Sequence, residues 1–331
     1  MSELFATPKT MKKIILSGIR TTLLKLGSAT KVELTDQLGI SFPTISKFLE
    51  QMEKDGEILL LGLDDSSGGR RAKRYSYNPD HMLGLAIYLE RTETHYTVFN
   101  CLGEVKKQGK TSSVLIDKDL LTTCIEDIMV LYPKISALAI GVPGSVENGR
   151  VFYIPGYEHF QDFDLKGYYE DHFSIPVVVE NDMNASVLGY HNKKGRNKNQ
   201  SLVYLYFGQN GPGAGILING DVVRGSTFFS GEVSFVPLYD QQNFIQSLET
   251  EEYRTDAISR LVAAFVAIIN PHTIIFCVDE MNKVRIDQIT EGSSKYIPAE
   301  HLPEITMSDW KQDYLHGLQK LGLDLMITEA K

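Results

Sequence analysis

The sequence predicts an α/β protein in three parts: a small helical module closed by a β-hairpin, then two α/β lobes of similar build. Apolar residues recur at helical spacing through residues 11–54, and a strand–turn–strand pattern follows at 57–77. Beyond Asn78-Pro79-Asp80, a short linker, strands and helices alternate. In that region three meandering strands followed by helix–strand units occur twice, which suggests two lobes around a cleft. The expected boundaries are 1–80, 81–195 and 196–331.

The composition is that of an ordinary globular chain, with 43% hydrophobic and 23% charged residues in 331. No run approaches the roughly 18 apolar residues of a membrane span. Met1-Ser2-Glu3-Leu4-Phe5 lacks the basic and apolar regions of a secretory signal. Cys101, Cys124 and Cys277 are scattered and odd in number, forming neither a disulfide framework nor a zinc spacing, so a reducing cytoplasm is expected. The net charge of -9 is uneven. Residues 1–80 hold 12 Lys and Arg against 10 Asp and Glu, whereas the remainder holds 21 against 32. An anion-facing module on an acidic body fits that division.

In the first helix Ile15, Ile19 and Leu23 form the apolar stripe, which Gly27-Ser28-Ala29 interrupts. Thr30-Lys31-Val32-Glu33 is a capping-box pattern opening a second, short helix that stops at Gly39. Ser41 is positioned to cap a third helix, and Pro43 is tolerated in its first turn. There Ile45, Phe48, Leu49 and Met52 share one side, leaving Pro43, Lys47 and Lys54 opposite, with Thr44 and Ser46 flanking. Such a pair of helices is a helix-turn-helix whose second helix can enter a major groove; three packed helices of an adaptor would show the same periodicity.

The next segment favours DNA. Residues 57–61 predict a strand, 64–69 a turn, and 70–77 the returning strand, with Arg70, Arg71, Lys73 and Arg74 beside the tip. A wing so charged, directly after a helix-turn-helix, suits phosphate contact with release of counterions. The expected DNA residues are therefore Ser41, Pro43, Thr44, Ser46 and Lys47 on the helix, with Thr44, Ser46 and Lys47 toward base edges. Arg70, Arg71 and Lys73 are expected on the wing, gripping phosphate or the adjacent minor groove.

In the body, strands are expected at 84–89, 95–100, 104–113, 135–141 and 177–180, with helices at 120–131, 165–172 and 184–191. A second set follows, with strands at 202–207, 214–219, 221–224 and 273–278 and a helix at 256–269. Four stretches lie in order: Gly141-Val142-Pro143-Gly144-Ser145-Val146, Glu180-Asn181-Asp182-Met183-Asn184-Ala185, Gly213-Ala214-Gly215-Ile216-Leu217-Ile218-Asn219-Gly220 and Gly231-Glu232-Val233. In order and spacing they resemble the ROK family of repressors, open reading frames and sugar kinases. Gly68-Gly69-Arg70-Arg71 behind a winged helix is similar to its repressor branch. The resemblance covers most of the chain and fades after about Pro237. It implies an actin-like, sugar-kinase-like fold of two lobes, with a C-terminal helix folded back across them.

The family's kinases bring an Asp-Ile-Gly-Gly-Thr hairpin to the ATP phosphates, where the backbone must approach closely and the tip must not repel. The matching residues are Ala86, Ile87, Tyr88, Leu89 and Glu90. The second loop, Gly208-Gln209-Asn210-Gly211-Pro212-Gly213, lacks the family's threonine and gains a proline without an N–H. Val278-Asp279-Glu280 stands where a glycine pair is expected. Three such losses predict no kinase activity and no nucleotide cofactor.

The sugar side is better kept. Asp182 matches the family's catalytic aspartate, and Asn181 and Glu232 match residues that hydrogen-bond the ring. Alternatively, Asn181 and Asp182 only cap the helix that follows. Phe235 replaces a family histidine, either stacking on a sugar face or filling space, and the cysteine-rich zinc run is absent, so no metal is expected. Gly144, Asn181, Asp182, Glu232 and Phe235 are the expected effector residues. No two of the eight histidines have a metal-binding helical spacing. The run from Lys193 to Lys198 is expected to be a solvated loop.

The resemblance and the motifs together imply a repressor of carbohydrate genes. It would bind a palindromic duplex operator as a homodimer or higher oligomer and take a sugar or phosphosugar between its lobes, away from any membrane. A sugar kinase using Asp182 as base, and a regulator with a vestigial pocket answering to a protein partner, are the alternatives.

Overall fold

The computed structural model describes residues 7–64, 71–113, 117–154, 157–193, 199–208, 211–240, 242–249, 251–277 and 285–329. At the N-terminus α1 (Pro8–Leu26) begins with Thr7 Oγ1 accepting from the Thr10 N–H at 3.2 Å. Strand β1 (Ala29–Thr30) leads into α2 (Lys31–Leu38), and the capping box forms as expected: Thr30 Oγ1 accepts from the Glu33 N–H, and Glu33 Oε2 from the Thr30 N–H. Helix α3 (Phe42–Lys54) buries Ile45, Leu49 and Met52 with Ile19, Leu23 and Leu34. Ser41 departs from expectation. It stands at the cap position, but its Oγ lies 2.8 Å from Thr44 Oγ1 and caps no backbone N–H. Strands β2 (Ile58–Leu63) and β3 (Lys73–Tyr77) complete an antiparallel sheet of order β1-β3-β2. Arg20 of α1 pairs with the buried Glu57, which also accepts from Tyr77 Oη, and so ties α1 to the base of this sheet.

Next come β4 (Leu83–Leu89), β5 (Glu93–Asn100), β6 (Val105–Ser112), α4 (Lys118–Leu131) and β7 (Ile135–Val142). Three short strands, β8 (Ser145–Glu147), β9 (Arg150–Tyr153) and β10 (Phe163–Asp164), form a separate small sheet. Helix α5 (Leu165–Phe173), β11 (Val177–Asn181) and α6 (Asp182–Lys193) follow. The second set is β12 (Leu202–Gly208), β13 (Gly211–Ile218), β14 (Asp221–Val222), β15 (Pro237–Tyr239), β16 (Gln242–Asn243), α7 (Phe244–Ser247), α8 (Glu251–Ile269), β17 (Thr273–Cys277), α9 (Ile286–Ser293) and β18 (Glu304–Ser308). The two main sheets, β11-β7-β4-β5-β6 and β18-β17-β12-β13-β14, share one topology, an antiparallel meander of three strands extended by two parallel ones. The duplicated strand pattern therefore does report two equivalent lobes.

Helix α10 (Trp310–Glu329) folds back onto the first lobe, packing on α6, β4, β7 and β11 and touching α1. Its contact with α6 is close because glycines stand at the crossing. A Cβ on Gly189 would lie 1.7 Å from Asp313 O, and one on Gly317 1.8 Å from Ala185 O. Side chains at these positions would hold the helices at a more usual separation. Among the described residues no helix is long and apolar enough to cross a membrane.

Candidate functional site

Two surfaces gather the residues singled out above. On the N-terminal module, Pro43 and Lys47 are exposed along α3 and Thr44 is half-buried. Ser46 is engaged within the protein: its Oγ accepts from Lys31 Nζ at 2.9 Å, and Lys31 also pairs with Glu50 at 3.2 Å. On the wing, Arg71 and Lys73 are exposed. Arg74 is held by Asp64 (2.7 Å) and Glu33 (2.9 Å), which fastens the wing to α2. Arg70 and most of the wing turn lie outside the described residues.

The second surface is a polar cleft where β7, β8 and the β11–α6 junction face β13 and the loop after β14. Asn181 both caps a helix and lines the cleft, so its two readings are compatible. Its Oδ1 accepts from the N–H groups of Met183 (2.9 Å) and Asn184 (3.0 Å), while Nδ2 donates to Gly144 O (3.0 Å) and Asp182 Oδ1 (2.9 Å). Burial pushes the Asp182 carboxyl up to about 7; the Met183 N–H opposes that shift and the Glu232 carboxylate adds to it. Glu232 enters from the opposite lobe, accepts from Ser145 Oγ at 3.4 Å, and is itself raised by burial. Gly231 makes this placement possible: at φ 95° its backbone passes Ala214 so closely that a Cβ would lie 2.0 Å from Ala214 O. The site is thus a pair of desolvated carboxyls framed by amide and hydroxyl groups, chemistry suited to holding hydroxyls.

Where the first phosphate loop was sought, an aromatic cluster packs beneath the cleft, and of its rings only Tyr206 lines it. Strand β4 is buried throughout. Tyr88 stacks between His95 (4.6 Å) and Tyr314 of α10 (4.8 Å), and Trp310 bridges Tyr314 (5.6 Å) and Tyr206 (4.9 Å). Glu90 is buried beside them. Gly208 and Gly211 pair across the β12–β13 turn; Gln209, Asn210 and the Val278-Asp279-Glu280 stretch lie outside the described residues.

Residues 85–244 match the ROK family model. The chain contains a ROK family domain. A xylose repressor of Bacillus spizizenii is 25% identical over 248 residues, covering 69% of this chain and 61% of that protein. A xylose repressor of Caldicellulosiruptor bescii is 26% identical over 293 residues, covering 83% and 72%. The chain thus spans about three fifths of the length of the Bacillus relative. The crystal structure of a ROK family transcriptional regulator, a homologue of the E. coli MLC protein, superimposes with a TM-score of 0.71 over 96% of this chain and 98% of that chain, at 18% identity. That likeness shows the shared fold, two actin-like lobes.

Within the ROK domain the structure brings together four of the five expected effector residues, Gly144, Asn181, Asp182 and Glu232. Phe235 is the exception. The short helical turn at Val233–Phe235 sends Val233 into the core and Phe235 outward, 50% exposed and 5.4 Å from Phe229, so it does not line the cleft. Five lining residues escaped the sequence reading as site residues: Tyr153, Tyr206, Arg224, Phe228 and Ser230. Arg224 pairs with the buried Glu180. Phe228 holds φ at 55°, a left-handed conformation rare for an aromatic residue, and meets Phe152 edge-on at 6.5 Å. Arg224, Phe228 and Ser230 join the cleft from the loop after β14, and Tyr153 and Tyr206 from strands β9 and β12, so no single motif or periodicity gathers them.

Proposed function

We propose that the protein is a DNA-binding transcriptional repressor of carbohydrate genes, with residues 1–80 contacting the operator and the lobes at 81–195 and 196–331 holding a sugar or sugar derivative. The observation that carries this reading is the contrast within the cleft: its carboxyl, amide and hydroxyl groups converge, while Tyr88, Tyr314, Trp310 and Glu90 occupy the neighbourhood of the first phosphate loop. Bulky side chains and a carboxylate in place of the loop's glycines and threonine deny a triphosphate close backbone approach, which supports sensing without phosphoryl transfer. Tyr88 and Leu89 are core residues and do not block the polar part, which speaks against a vestigial pocket. The names of the relatives, xylose repressors, support an aldose effector.

The fold supplies a physical route for control. Helix α6 starts at Asp182 in the cleft, packs on α10, and α10 touches α1 of the N-terminal module. An effector that favours one inter-lobe angle would shift the module, and with it the spacing of two winged helices of a dimer on a palindromic operator. Action on an operator places the protein in the cytoplasm. Titration calorimetry with aldoses and their phosphates, run beside operator-binding measurements, tests the reading. Effector binding that leaves operator affinity unchanged refutes the coupling, and magnesium-ATP turnover abolished by Asp182→Asn refutes the loss of kinase chemistry.

A further inference from the structure

Helix α3 has different neighbours on its two flanks. On the α2 side the nearby cation, Lys31, is bonded to Ser46 and Glu50. On the α1 side a groove opens between α1 and α3, with Leu16, Phe48 and Met52 among its walls and Lys9, Lys12, Lys13 and Lys47 along it. The three α1 lysines sit at i, i+3 and i+4, one stripe of the helix that continues through Leu16 to the buried Arg20. All four lysines are exposed, and none makes an ion pair with another described residue. Of the groove's carboxylates, Glu57 is paired with Arg20, which leaves Asp55, bonded to the neutral Gln51 amide, against the four lysines. The rim therefore keeps its positive charge.

We propose that Lys9, Lys12 and Lys13 are a second DNA contact, a clamp on the phosphate backbone beside the groove that α3 enters. This rests on the reading of α3 as the DNA-facing helix. A helix with side chains is roughly 10–12 Å across and a major groove about 12 Å wide, so both sugar–phosphate backbones run alongside an inserted helix. Cations on an element bordering that helix face phosphate rather than base edges. They strengthen binding to any sequence and carry no sequence information. With Arg71 and Lys73 on the wing, the clamp would grip the duplex at two separate places.

The test is fluorescence anisotropy of the full chain on a labelled mixed-sequence duplex of about three helical turns, over a range of salt concentrations. The triple substitution Lys9→Ala, Lys12→Ala, Lys13→Ala is expected to lower the slope of log affinity against log salt by about 2 to 3, at about 0.9 per phosphate lost, and to weaken binding at low salt by roughly tenfold or more. Lys107→Ala with Lys295→Ala, exposed charges on the body, should leave the slope unchanged. If wild type binds the duplex and the triple variant keeps its slope, the clamp is wrong. If wild type has no salt-dependent affinity for duplex at all, the reading of the whole module fails instead.

Discussion

Arg224, in the loop after β14, reaches across the cleft to Glu180 at the end of β11, joining the two lobes through a carboxylate only 5% exposed. Glu180 also accepts from Asn181 N (3.1 Å) and Asn184 Nδ2 (3.0 Å), so its second oxygen is satisfied within the first lobe. Arg224→Ala leaves a buried charge without its cation, whereas the arginine head is partly solvated. The expected cost is about 1–3 kcal/mol, below the usual range for a fully buried pair. Urea unfolding measures it, and Arg224→Met combined with Glu180→Gln should recover part of the loss. A larger loss in the double variant than in Arg224→Ala would mean the pair is not what joins the lobes.

The pH dependence of stability should carry the signature of Asp182. Burial pushes its carboxyl up to about 7, well above the ordinary aspartate value of about 4. The folded state therefore holds a proton that the unfolded chain has lost, and stability from this group is complete below about pH 4 and disappears as pH rises through 7. Asp182→Asn, which carries no charge at any pH, should match wild type near pH 4 and become more stable by on the order of a few kcal/mol above pH 7. A constant difference across that range would show that Asp182 is an ordinary carboxylate.

Phe228 lines the cleft from a left-handed backbone conformation. Phe228→Gly frees a left-handed backbone, worth roughly 1 kcal/mol, while removing the ring that meets Phe152. Net stability should move by less than about 1 kcal/mol, yet aldose affinity in calorimetry should fall about tenfold, since an aromatic contact is worth on the order of 1 kcal/mol or more. Unchanged affinity would remove Phe228 from the effector wall.

The α6–α10 crossing should tolerate no added methyl. Gly317→Ala drives a Cβ against Ala185 O, and relief requires the helices to part. Thermal unfolding should report a loss of about 1–3 kcal/mol. Operator affinity should lose its response to effector while aldose binding persists, because Asp182 and Glu232 do not touch Gly317. A fully retained response would exclude α10 as the connection.

Much of this molecule was legible in local pattern. The helices of the N-terminal module, the capping box at Thr30 and Glu33, and the repeated strand meanders were predicted because periodicity and capping depend on residues a few positions apart. Asn181, Asp182 and Glu232 were found through motifs. The short strands β8–β10 and β18 went unread, since two to five residues carry too little pattern. Ser41 was expected to cap α3 and, with Ser46, to face DNA; the structure pairs the Ser41 hydroxyl with that of Thr44 and gives Ser46 to Lys31.

By itself the sequence determined which side chains could build each element and which chemical groups were on offer. Those properties are local: the phase of apolar residues, a cap, a glycine where the chain must pass closely. Tertiary structure alone decided which groups meet. It brought Glu232 to Ser145, Arg224 to Glu180, and Tyr314 from the far end of the chain onto Tyr88. It also turned Phe235 to solvent and left the α1 lysines beside α3. Burial, and with it the raised carboxyl of Asp182, arises from residues distant in sequence excluding water together, and no window along the chain contains that information.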